Sequence, residues 1–333
     1  KAIRRQRQMC IRDRLTGVGT YPEYSNQGLM HKLLETALKK MKENGQYISY
    51  LYPYSIPYYR RKGWEIVSNK ITYEISDYQL PKNHQVSGNV KRVKYDSEEL
   101  KETYEKFAMH TNGAILRDDL AWNEYWLWDP DDMMAAIYYN KNGEPDGYVI
   151  YWISEEIFHI KDMIFNNEEA RTGLWNFISA HFSMIDKVEG NTYTDEKLSF
   201  LLEDSSIKET ISPYFMARIV DFVGFMKEYR FKKSHNENRT WKFVLTDPML
   251  EENQGTFCIN IDKDGKANVE KINETCNDEI SIQTMTTMLM GYKRPEYLYK
   301  IGRIKTDKKI VEMLENSVKQ DLSLIHISEP TRP

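Results

Sequence analysis

A loop that contains a glycine and leads into a long amphipathic helix is the stretch of this sequence best suited to chemistry. The loop EYSNQG, residues 23 to 28, precedes apolar residues that recur at three- and four-residue spacing from Leu29 to Met41. A helix that starts in this way offers unpaired backbone N–H groups and the positive end of its dipole. Gly28 allows a ligand to approach the backbone closely. The stretch therefore predicts a site for an anion such as a diphosphate.

The neighbouring residues form the elements that must hold this loop in place. TGVGT, residues 16 to 20, is typical of the end of a short strand, and Gly45 is placed to end the helix. YISYLYPY, residues 47 to 54, predicts the next strand. A short helix is expected in SIPYYRRKGWE, residues 55 to 65, and a further strand in NKITYEI, residues 69 to 75. Strands alternating with helices predict a mixed α/β domain.

Two motifs in this region resemble those of the GCN5-related N-acetyltransferase (GNAT) superfamily. The motifs are V-x-T-x-P-E-Y-x-x-x-G-x-M-x-x-L-L from Val18 and Y-x-x-x-Y-Y-R-R-x-G-W-E from Tyr54. In that superfamily the first motif includes the loop that binds the pyrophosphate of acetyl-CoA, mainly through backbone amides. Ser25 and Met30 stand here in place of its basic and small residues. The resemblance implies a binding site for acetyl-CoA formed by Val18, Thr20, Ser25, Asn26, Gln27, Gly28, Leu29, Met30 and Ser55.

The same resemblance implies a catalytic residue. Tyr59, in PYYRRKG, corresponds to the general-acid tyrosine of the superfamily. A free phenol has a pKa near 10 and a free thiol near 8.5, so complete proton transfer to the leaving thiolate is uphill by about 2 kcal/mol. Tyr59 is therefore expected to act mainly as a hydrogen-bond donor to that thiolate. The alternative is that it packs the short helix onto the sheet, which is the role expected of Tyr58.

Four later stretches resemble one subfamily, the enhanced intracellular survival (Eis) family of bacterial acetyltransferases. They are RDDLAWNEYWLW (117 to 128), GYVIYWISEE (147 to 156), PYFMARIVDFVGFMKEY (213 to 229) and MGYKRPEYLYKIGRI (290 to 304). The resemblance extends from about Leu15 to Asp321. Within the third stretch, RIVD predicts charges that are paired between domains.

The Eis resemblance implies an α/β (α+β) fold with two GNAT-type domains, the first one incomplete, and a C-terminal sterol-carrier-like α/β domain. Residues 15–80 would form the C-terminal half of the N-terminal GNAT domain, which contains the acetyl-CoA site. Residues 85–230 would form the central GNAT-like domain, and residues 238–321 the sterol-carrier-protein-like domain. In the last domain an Asp-Gly turn in GTFCINIDKDGKANVEKI predicts a hairpin, and SIQTMTTMLMG predicts a helix that ends at Gly291.

The two ends of the sequence do not fit this organisation. RRQRQMCIRDR near the start and LSLIHISEPTRP at the end resemble translated sequencing-library adapters. We therefore treat residues 1–14 and 322–333 as non-native segments, although a basic arm that binds nucleic acid is an alternative for the first. We expect the chain as given to be weakly active or inactive. In Eis proteins the C-terminal carboxylate reaches the active site, so no general base is assigned here.

Composition and charge exclude several classes of function. The formal net charge is −4, and the chain is more acidic still without its arginine-rich start, so no binding to nucleic acid is expected. No apolar run approaches the ~20 residues needed to cross a bilayer, so no membrane association is expected. Three cysteines without regular spacing predict neither a disulfide framework nor a metal site, and they suit a reducing cytoplasm.

The resemblance implies an acetyl-CoA-dependent N-acetyltransferase that acts on small cationic amines, aminoglycoside-like or lysine-like, by direct transfer in a ternary complex. Trp122 and Trp126 lie near several aspartates, an arrangement suited to binding a cation. A core helix with a solvated acidic end is the alternative there. A homo-oligomer, hexameric in the family, is implied as well. The alternative functions are a non-catalytic lipid or sterol carrier, a scaffold, and a tandem-GNAT aminoacyltransferase.

Overall fold

The computed structural model describes residues 21, 23, 27–111, 114, 116–126, 132–192, 198–235 and 239–320. These residues form two compact units. The first unit contains the residues up to Ser68 and those from Tyr214 onwards, and the second contains Asn69–Pro213. The segments 1–14 and 322–333 lie outside the described residues. Among the helices that the structure describes, none is both long enough and apolar enough to span a membrane.

The first unit begins with the predicted amphipathic helix and the short elements after it. Its elements, numbered in chain order, are α1 (Leu29–Glu43), β1 (Ile48–Leu51), α2 (Ile56–Arg60) and β2 (Glu65–Ile66). Helix α1 buries Leu34, Leu38 and Met41, as its spacing predicts. A three-stranded antiparallel sheet has the order β1-β10-β2, because β10 (Met216–Ile219) inserts between the two earlier strands.

The C-terminal part of the first unit is a five-stranded sheet with short helices. The sheet has the order β13-β12-β11-β14-β15. Its strands are β11 (Arg239–Thr246), β12 (Gly255–Ile261), β13 (Ala267–Ile272), β14 (Glu279–Ser281) and β15 (Ile304–Lys305). The helices are α7 (Phe222–Glu228), α8 (Ile282–Leu289), α9 (Pro295–Lys300) and α10 (Lys308–Ser317), with a 3₁₀ turn at Glu251–Asn253. The predicted hairpin is confirmed as β12–β13, and the predicted helix as α8.

The second unit is built on a seven-stranded sheet of order β4-β5-β6-β7-β8-β3-β9. Only β7 and β8 pair in parallel. The strands are β3 (Asn69–Ser76), β4 (Asn89–Val93), β5 (Met134–Tyr139), β6 (Pro145–Ser154), β7 (Ile157–Phe165), β8 (Lys187–Thr192) and β9 (Lys208–Pro213). The helices are α3 (Glu98–His110), α4 (Asp119–Trp126), α5 (Glu168–Ser179) and α6 (Leu198–Leu201), with a 3₁₀ turn at Asp77–Gln79.

Both faces of the seven-stranded sheet are covered by apolar side chains. Successive residues of a strand point to opposite faces, so Ala136 and Tyr138 of β5 join a core with Leu174 of α5. The alternate residue Ile137 joins the other core, with Leu100 of α3. Residues of α4 also belong to this second core. The unit therefore has three layers, with helices on each side of the sheet.

The compact units divide the chain differently from the predicted domain spans. Strand β3 lies within the span 15–80 but pairs in the seven-stranded sheet. Strand β10 lies within the span 85–230 but pairs in the three-stranded sheet. Because compact units group strands by pairing rather than by sequence position, the spans 15–80, 85–230 and 238–321 stay predictions about sequence segments.

Candidate functional site

Among the residues that the structure describes, no side chain caps the N-terminus of helix α1. Its N-cap residue Gly28 has φ 72°, in the left-handed region that favours glycine, and the first turn contains no acidic residue. A Cβ atom at Gly28 would meet no other atom within 4 Å in the described part of the chain. The N–H of Lys32 donates to the Gly28 carbonyl over 3.1 Å, so the amides of the preceding turn have no helical acceptor and could bind an external one.

A lysine side chain lies at the first turn of α1. Nζ of Lys62, which follows helix α2, is 2.7 Å from Nδ1 of His31. An ammonium group can only donate, so Nδ1 of His31 accepts and Nε2 carries the proton when the ring is neutral. The cation adds to the positive end of the helix dipole. This end of α1 therefore combines free amides, an open glycine and a positive charge, which together suit an anion.

Four of the predicted acetyl-CoA residues lie at the start of α1, and a fifth, Ser55, lies at the start of α2. Gln27, Gly28 and Leu29 are exposed at the start of α1, and Met30 is partly buried against the core of the first unit. Ser55 is the N-cap residue of α2, partly buried, and its side chain makes no capping hydrogen bond. The remaining predicted residues, Val18, Thr20, Ser25 and Asn26, lie outside the described residues.

Tyr59 lies in α2, half-buried against the same apolar core. Its ring makes edge-to-face contacts with Trp64, at 6.0 Å between centroids, and with Tyr58, at 5.3 Å. Within the part of the chain that the structure describes, its hydroxyl has no hydrogen-bond partner. Burial raises the pKa of Tyr59 above its ordinary value, so the phenol is neutral near pH 7 and can donate a hydrogen bond.

Two buried ionic contacts near α2 were not predicted in detail from the sequence. Arg218, fully buried, lies with its guanidinium 2.5 Å from Asp247. Arg218 and Asp247 both lie in the first compact unit, so the prediction that RIVD pairs charges between domains stays a prediction. Glu65, only 2% exposed, accepts from Arg60 and from Arg303, each at 2.7 Å. Arg303 follows Glu65 by 238 positions, so periodicity and local spacing carry no signal for this contact.

Trp122 and Trp126 lie in α4 of the second unit, not in the unit that contains α1 and Tyr59. Trp122 is buried and stacks on Trp126 with ring centroids 5.5 Å apart. The Arg117 guanidinium also lies over Trp122, 4.6 Å from the ring centroid. This packing agrees with the alternative interpretation of Trp122 as part of a core helix. A role of Trp122 in substrate binding stays a prediction.

The second unit contains a strand–helix–strand segment whose helix begins differently. The side chain of Asn167 caps α5 by accepting from the Ala170 N–H at 2.8 Å. Glu168 and Glu169 occupy its first turn. Hydrogen bonds from the side chain and backbone of Ser87 lower the pKa of Glu169, so this residue is negatively charged. A capped and acidic helix end disfavours an anionic ligand.

The strands on either side of α5 separate along their length. The parallel pairing of β7 with β8 covers Ile157–His159 and Lys187–Glu189. Beyond it, the Asn191 side chain donates to the Lys161 carbonyl over 3.3 Å. This hydrogen bond joins the two strands where their backbones no longer pair, so the Lys161 carbonyl already accepts a hydrogen bond within the protein.

Comparison with known protein families identifies three segments. Residues 12–67 match one model of an acetyltransferase (GNAT) domain, and residues 113–219 match a second model of the same description. Residues 222–323 match a sterol carrier protein domain. No curated protein sequence matched the chain.

Solved structures show the same architecture. A conserved protein from Enterococcus faecalis V583, described as a probable N-acyltransferase, is 28% identical with a TM-score of 0.83, covering 92% of this chain and 78% of that one. A GCN5-related N-acetyltransferase from Anabaena variabilis is 23% identical (TM-score 0.78), covering 91% and 78%. Eis1 from Mycobacterium abscessus is 18% identical (TM-score 0.75), covering 96% and 80%. At 23% and 18% identity, the structures from Anabaena variabilis and Mycobacterium abscessus indicate a shared fold and nothing further.

The family matches and the observed architecture agree with each other. The two GNAT matches include α1 with its open N-terminus and α5 with its capped one, and the sterol carrier match covers the five-stranded sheet. The predicted fold class is therefore confirmed. The chain contains acetyltransferase (GNAT) domains and a C-terminal sterol carrier protein domain on a mixed α/β architecture.

Proposed function

We propose that this chain is an acetyl-CoA-dependent N-acetyltransferase that transfers an acetyl group directly to the amine of a small cationic substrate. The observation that carries the proposal is the open, positively charged N-terminus of α1, in the same compact unit as Tyr59 and in a segment that matches a GNAT domain. The probable N-acyltransferase from Enterococcus faecalis, 28% identical, supports the reaction class.

Acetyl-CoA, the acyl-donor substrate, supplies an activated thioester. Its diphosphate would accept hydrogen bonds from backbone amides in the segment Gln27–Met30, with Lys62 adding positive charge. Ser55 would line the cleft. Val18, Thr20, Ser25 and Asn26 belong to the proposed site by resemblance alone. The open space around Gly28 and the absence of an acidic residue from the first turn of α1 fit an anionic group there.

Tyr59 would donate a hydrogen bond to the thiolate that leaves. Because burial raises the pKa of Tyr59, proton transfer from the phenol to the thiolate is more unfavourable than the about 2 kcal/mol of the free groups. The phenol therefore stabilises the developing negative charge without giving up its proton. The amine must attack unprotonated, and its base is left unassigned.

The proposed acceptor is an amine on a small cationic molecule, with aminoglycoside-like and lysine-like compounds as candidates. The net negative charge of the chain favours a cation over an anion. Trp122 and Trp126 remain candidates for contact with such a substrate. A homo-oligomer, a hexamer by resemblance, and a cytoplasmic location are parts of the same proposal.

A lipid or sterol carrier is the second candidate, because residues 222–323 match a sterol carrier protein domain. In that segment the large apolar side chains Trp241, Phe243 and Phe257 are buried. The two candidates differ in what they bind: an acetyltransferase binds acetyl-CoA, whereas a carrier binds a fluorescent fatty acid or sterol and does not respond to acetyl-CoA.

The test is an acetyl-transfer assay on the purified chain. Acetyl-CoA is incubated with a panel of aminoglycosides, lysine derivatives and diamines, while free thiol is measured by absorbance and products by mass spectrometry. The proposal predicts thiol release that depends on an amine, with one acetyl group added to that amine. Acetyl-CoA that neither binds nor reacts, together with saturable lipid binding, would support the carrier instead.

A further inference from the structure

Helix α2, which contains Tyr59, has only five residues, too few for a helix to be stable on its own. Its orientation must therefore come from tertiary contacts. Three backbone carbonyls in and after α2 accept hydrogen bonds from later parts of the chain. The donors are Gln283 to Arg60 at 2.9 Å, Arg218 to Lys62 at 2.6 Å, and Thr287 to Ile66 at 2.9 Å.

An ionic bridge reinforces these contacts. The Glu65 carboxylate, 2% exposed, accepts from Nε and Nη2 of Arg60 on one side. On the other side it accepts from Nη2 of Arg303 at 2.7 Å, and Nε of Arg303 donates to Thr284 at 3.1 Å. Arg303, Thr284, Gln283 and Thr287 all belong to the segment that matches a sterol carrier protein domain. The bridge therefore connects that domain to the end of α2.

Glu65 is ionised in this arrangement. Burial alone would raise the pKa of Glu65, but hydrogen bonds from Arg60, the Ile66 backbone and Arg303, with the charge of Arg303, outweigh burial and lower it. A buried carboxylate that loses one of two guanidinium partners must seek another partner or move towards water. Removing Arg303 therefore perturbs Glu65, and through it Arg60 and α2.

We infer that Arg303 is a positioning residue for acetyl transfer: through Glu65 and Arg60 it fixes α2, and with it the direction of the Tyr59 hydroxyl. The inference rests on the proposed function. It gives the sterol carrier domain of this chain a role in the transfer step rather than in carrying a lipid. Since a displacement of about 1 Å in a reacting group can cost 100-fold in rate, a loosened α2 lowers kcat.

The test uses Arg303→Met, which retains an unbranched apolar stem and removes the charge. We expect kcat to fall about tenfold, while KM for acetyl-CoA changes less than kcat does, because the backbone amides proposed to bind the diphosphate belong to α1 and not to α2. Arg303→Lys restores a positive charge that can reach Glu65. It does not restore the geometry by which a guanidinium donates two hydrogen bonds at once. We expect it to recover part of the lost kcat.

The chain offers a matched control in Arg294. It forms a similar ion pair with Glu315 at 2.7 Å, with a comparable exposed fraction, 23% against 32% for Arg303. Among the described residues, the hydrogen bonds of the Arg294 side chain go to α10 and the residues just after it. Arg294→Met is therefore expected to lower Tm without lowering kcat. Equal loss of kcat in both variants would overturn the inference, because it would indicate general destabilisation.

A second readout does not need activity. With 3-fluorotyrosine incorporated at position 59, the ¹⁹F resonance reports the surroundings of that ring. Arg303→Met is expected to shift or broaden the resonance, and Arg294→Met to leave it in place. If the wild-type chain transfers no acetyl group, the proposed function fails and this signal alone decides about Arg303. An unchanged resonance in Arg303→Met would overturn the inference whatever the activity.

Discussion

Helices α1 and α5 lie in the two segments that match GNAT domains, yet their N-termini have opposite properties. Helix α1 starts at a left-handed glycine, with no capping side chain in the described part of the chain and with Lys62 beside its first turn. Helix α5 starts at an asparagine that caps it, followed by two glutamates. A diphosphate is attracted by the first arrangement and repelled by the second. The comparison supports the proposal that the acetyl-CoA site lies at the N-terminus of α1, whereas the N-terminus of α5 contributes to stability.

The short helices that follow β1 and β8 also differ, because only the first contains a tyrosine. After β1, helix α2 contains the tyrosine pair of IPYYR, and the hydroxyl of Tyr59 has no partner in the described part of the chain. After β8, helix α6 has the sequence LSFL, with an exposed Phe200 and no tyrosine. Helix α6 therefore lacks a counterpart of the phenol that is proposed to assist the thiolate, which supports the proposal that acetyl transfer takes place in the first unit.

Removing the Tyr59 hydroxyl should have the largest effect. For Tyr59→Phe we expect kcat to fall about 100-fold, within the range for the loss of one hydrogen-bond donor to a developing negative charge. The free energy of unfolding should change by less than about 0.5 kcal/mol, because no described group bonds to this hydroxyl. Steady-state kinetics and chemical denaturation measure the two quantities. Tyr58→Phe and Phe200→Tyr are the controls and should leave kcat unchanged. A Tyr59→Phe enzyme with normal kcat would remove the difference between α2 and α6.

The second prediction makes α1 resemble α5. Gly28→Asp places a carboxylate at the N-terminus of α1 and should weaken acetyl-CoA binding about 30-fold, roughly 2 kcal/mol, by charge repulsion. The free energy of unfolding should fall by about 1 kcal/mol, because the left-handed conformation of Gly28 strains any side chain, although aspartate tolerates it better than most residues do.

Gly28→Asn is the matched control for this substitution. It has the same shape and capping ability as the aspartate but carries no charge, so acetyl-CoA should bind it more tightly than Gly28→Asp. Isothermal titration gives the dissociation constants of both variants. Equal affinities would mean that the anion does not lie at this helix end.

Removing the cap of α5 should affect stability alone. Asn167→Ala leaves the Ala170 N–H without its acceptor and should cost about 1 kcal/mol of folding free energy. The affinity for acetyl-CoA should stay the same, because the site is assigned to α1. Urea denaturation and titration check the two expectations separately. A clear loss of acetyl-CoA affinity would place part of the binding site in the second unit.

The smallest predicted effect concerns a buried carboxylate in each unit. The two arginines lower the pKa of Glu65, as described above, whereas burial raises the pKa of Asp162 despite the charge of Arg117. Glu65 thus contributes stability above its unfolded pKa and loses it as the pH falls. Asp162 contributes most below its unfolded pKa and loses stability as the pH rises. The loss of folding free energy caused by Glu65→Gln should therefore increase between pH 4 and pH 7, whereas the loss caused by Asp162→Asn should decrease. Denaturation curves at several pH values compare the two slopes, and slopes of the same sign would contradict this assignment.

Local features of the fold and the site could be predicted from the sequence. The spacing of Leu34, Leu38 and Met41 predicted the buried stripe of α1, and the Asp-Gly turn predicted the β12–β13 hairpin. Gly28 was recognised because a loop before an amphipathic helix has a recognisable pattern. Each of these depends on residues close in sequence, where helix and turn geometry leave few choices.

Non-local contacts could not be predicted in the same way. Strand β10 inserts between β1 and β2 although about 150 residues separate it from β2. The Arg303–Glu65 contact spans 238 positions. Trp122 next to aspartates suggested a cation-binding surface, yet this side chain is buried in a core. The residues that are close to Trp122 in the sequence do not determine which face of its helix packs against the protein core.

Calorimetric titration of the wild-type chain with acetyl-CoA is the most direct test of the difference between the two helix ends. We predict saturable binding with one acetyl-CoA per chain, weakened in Gly28→Asp and unchanged in Asn167→Ala. Two equivalent sites per chain, or binding that Asn167→Ala abolishes and Gly28→Asp leaves intact, would contradict the assignment of acetyl-CoA to α1.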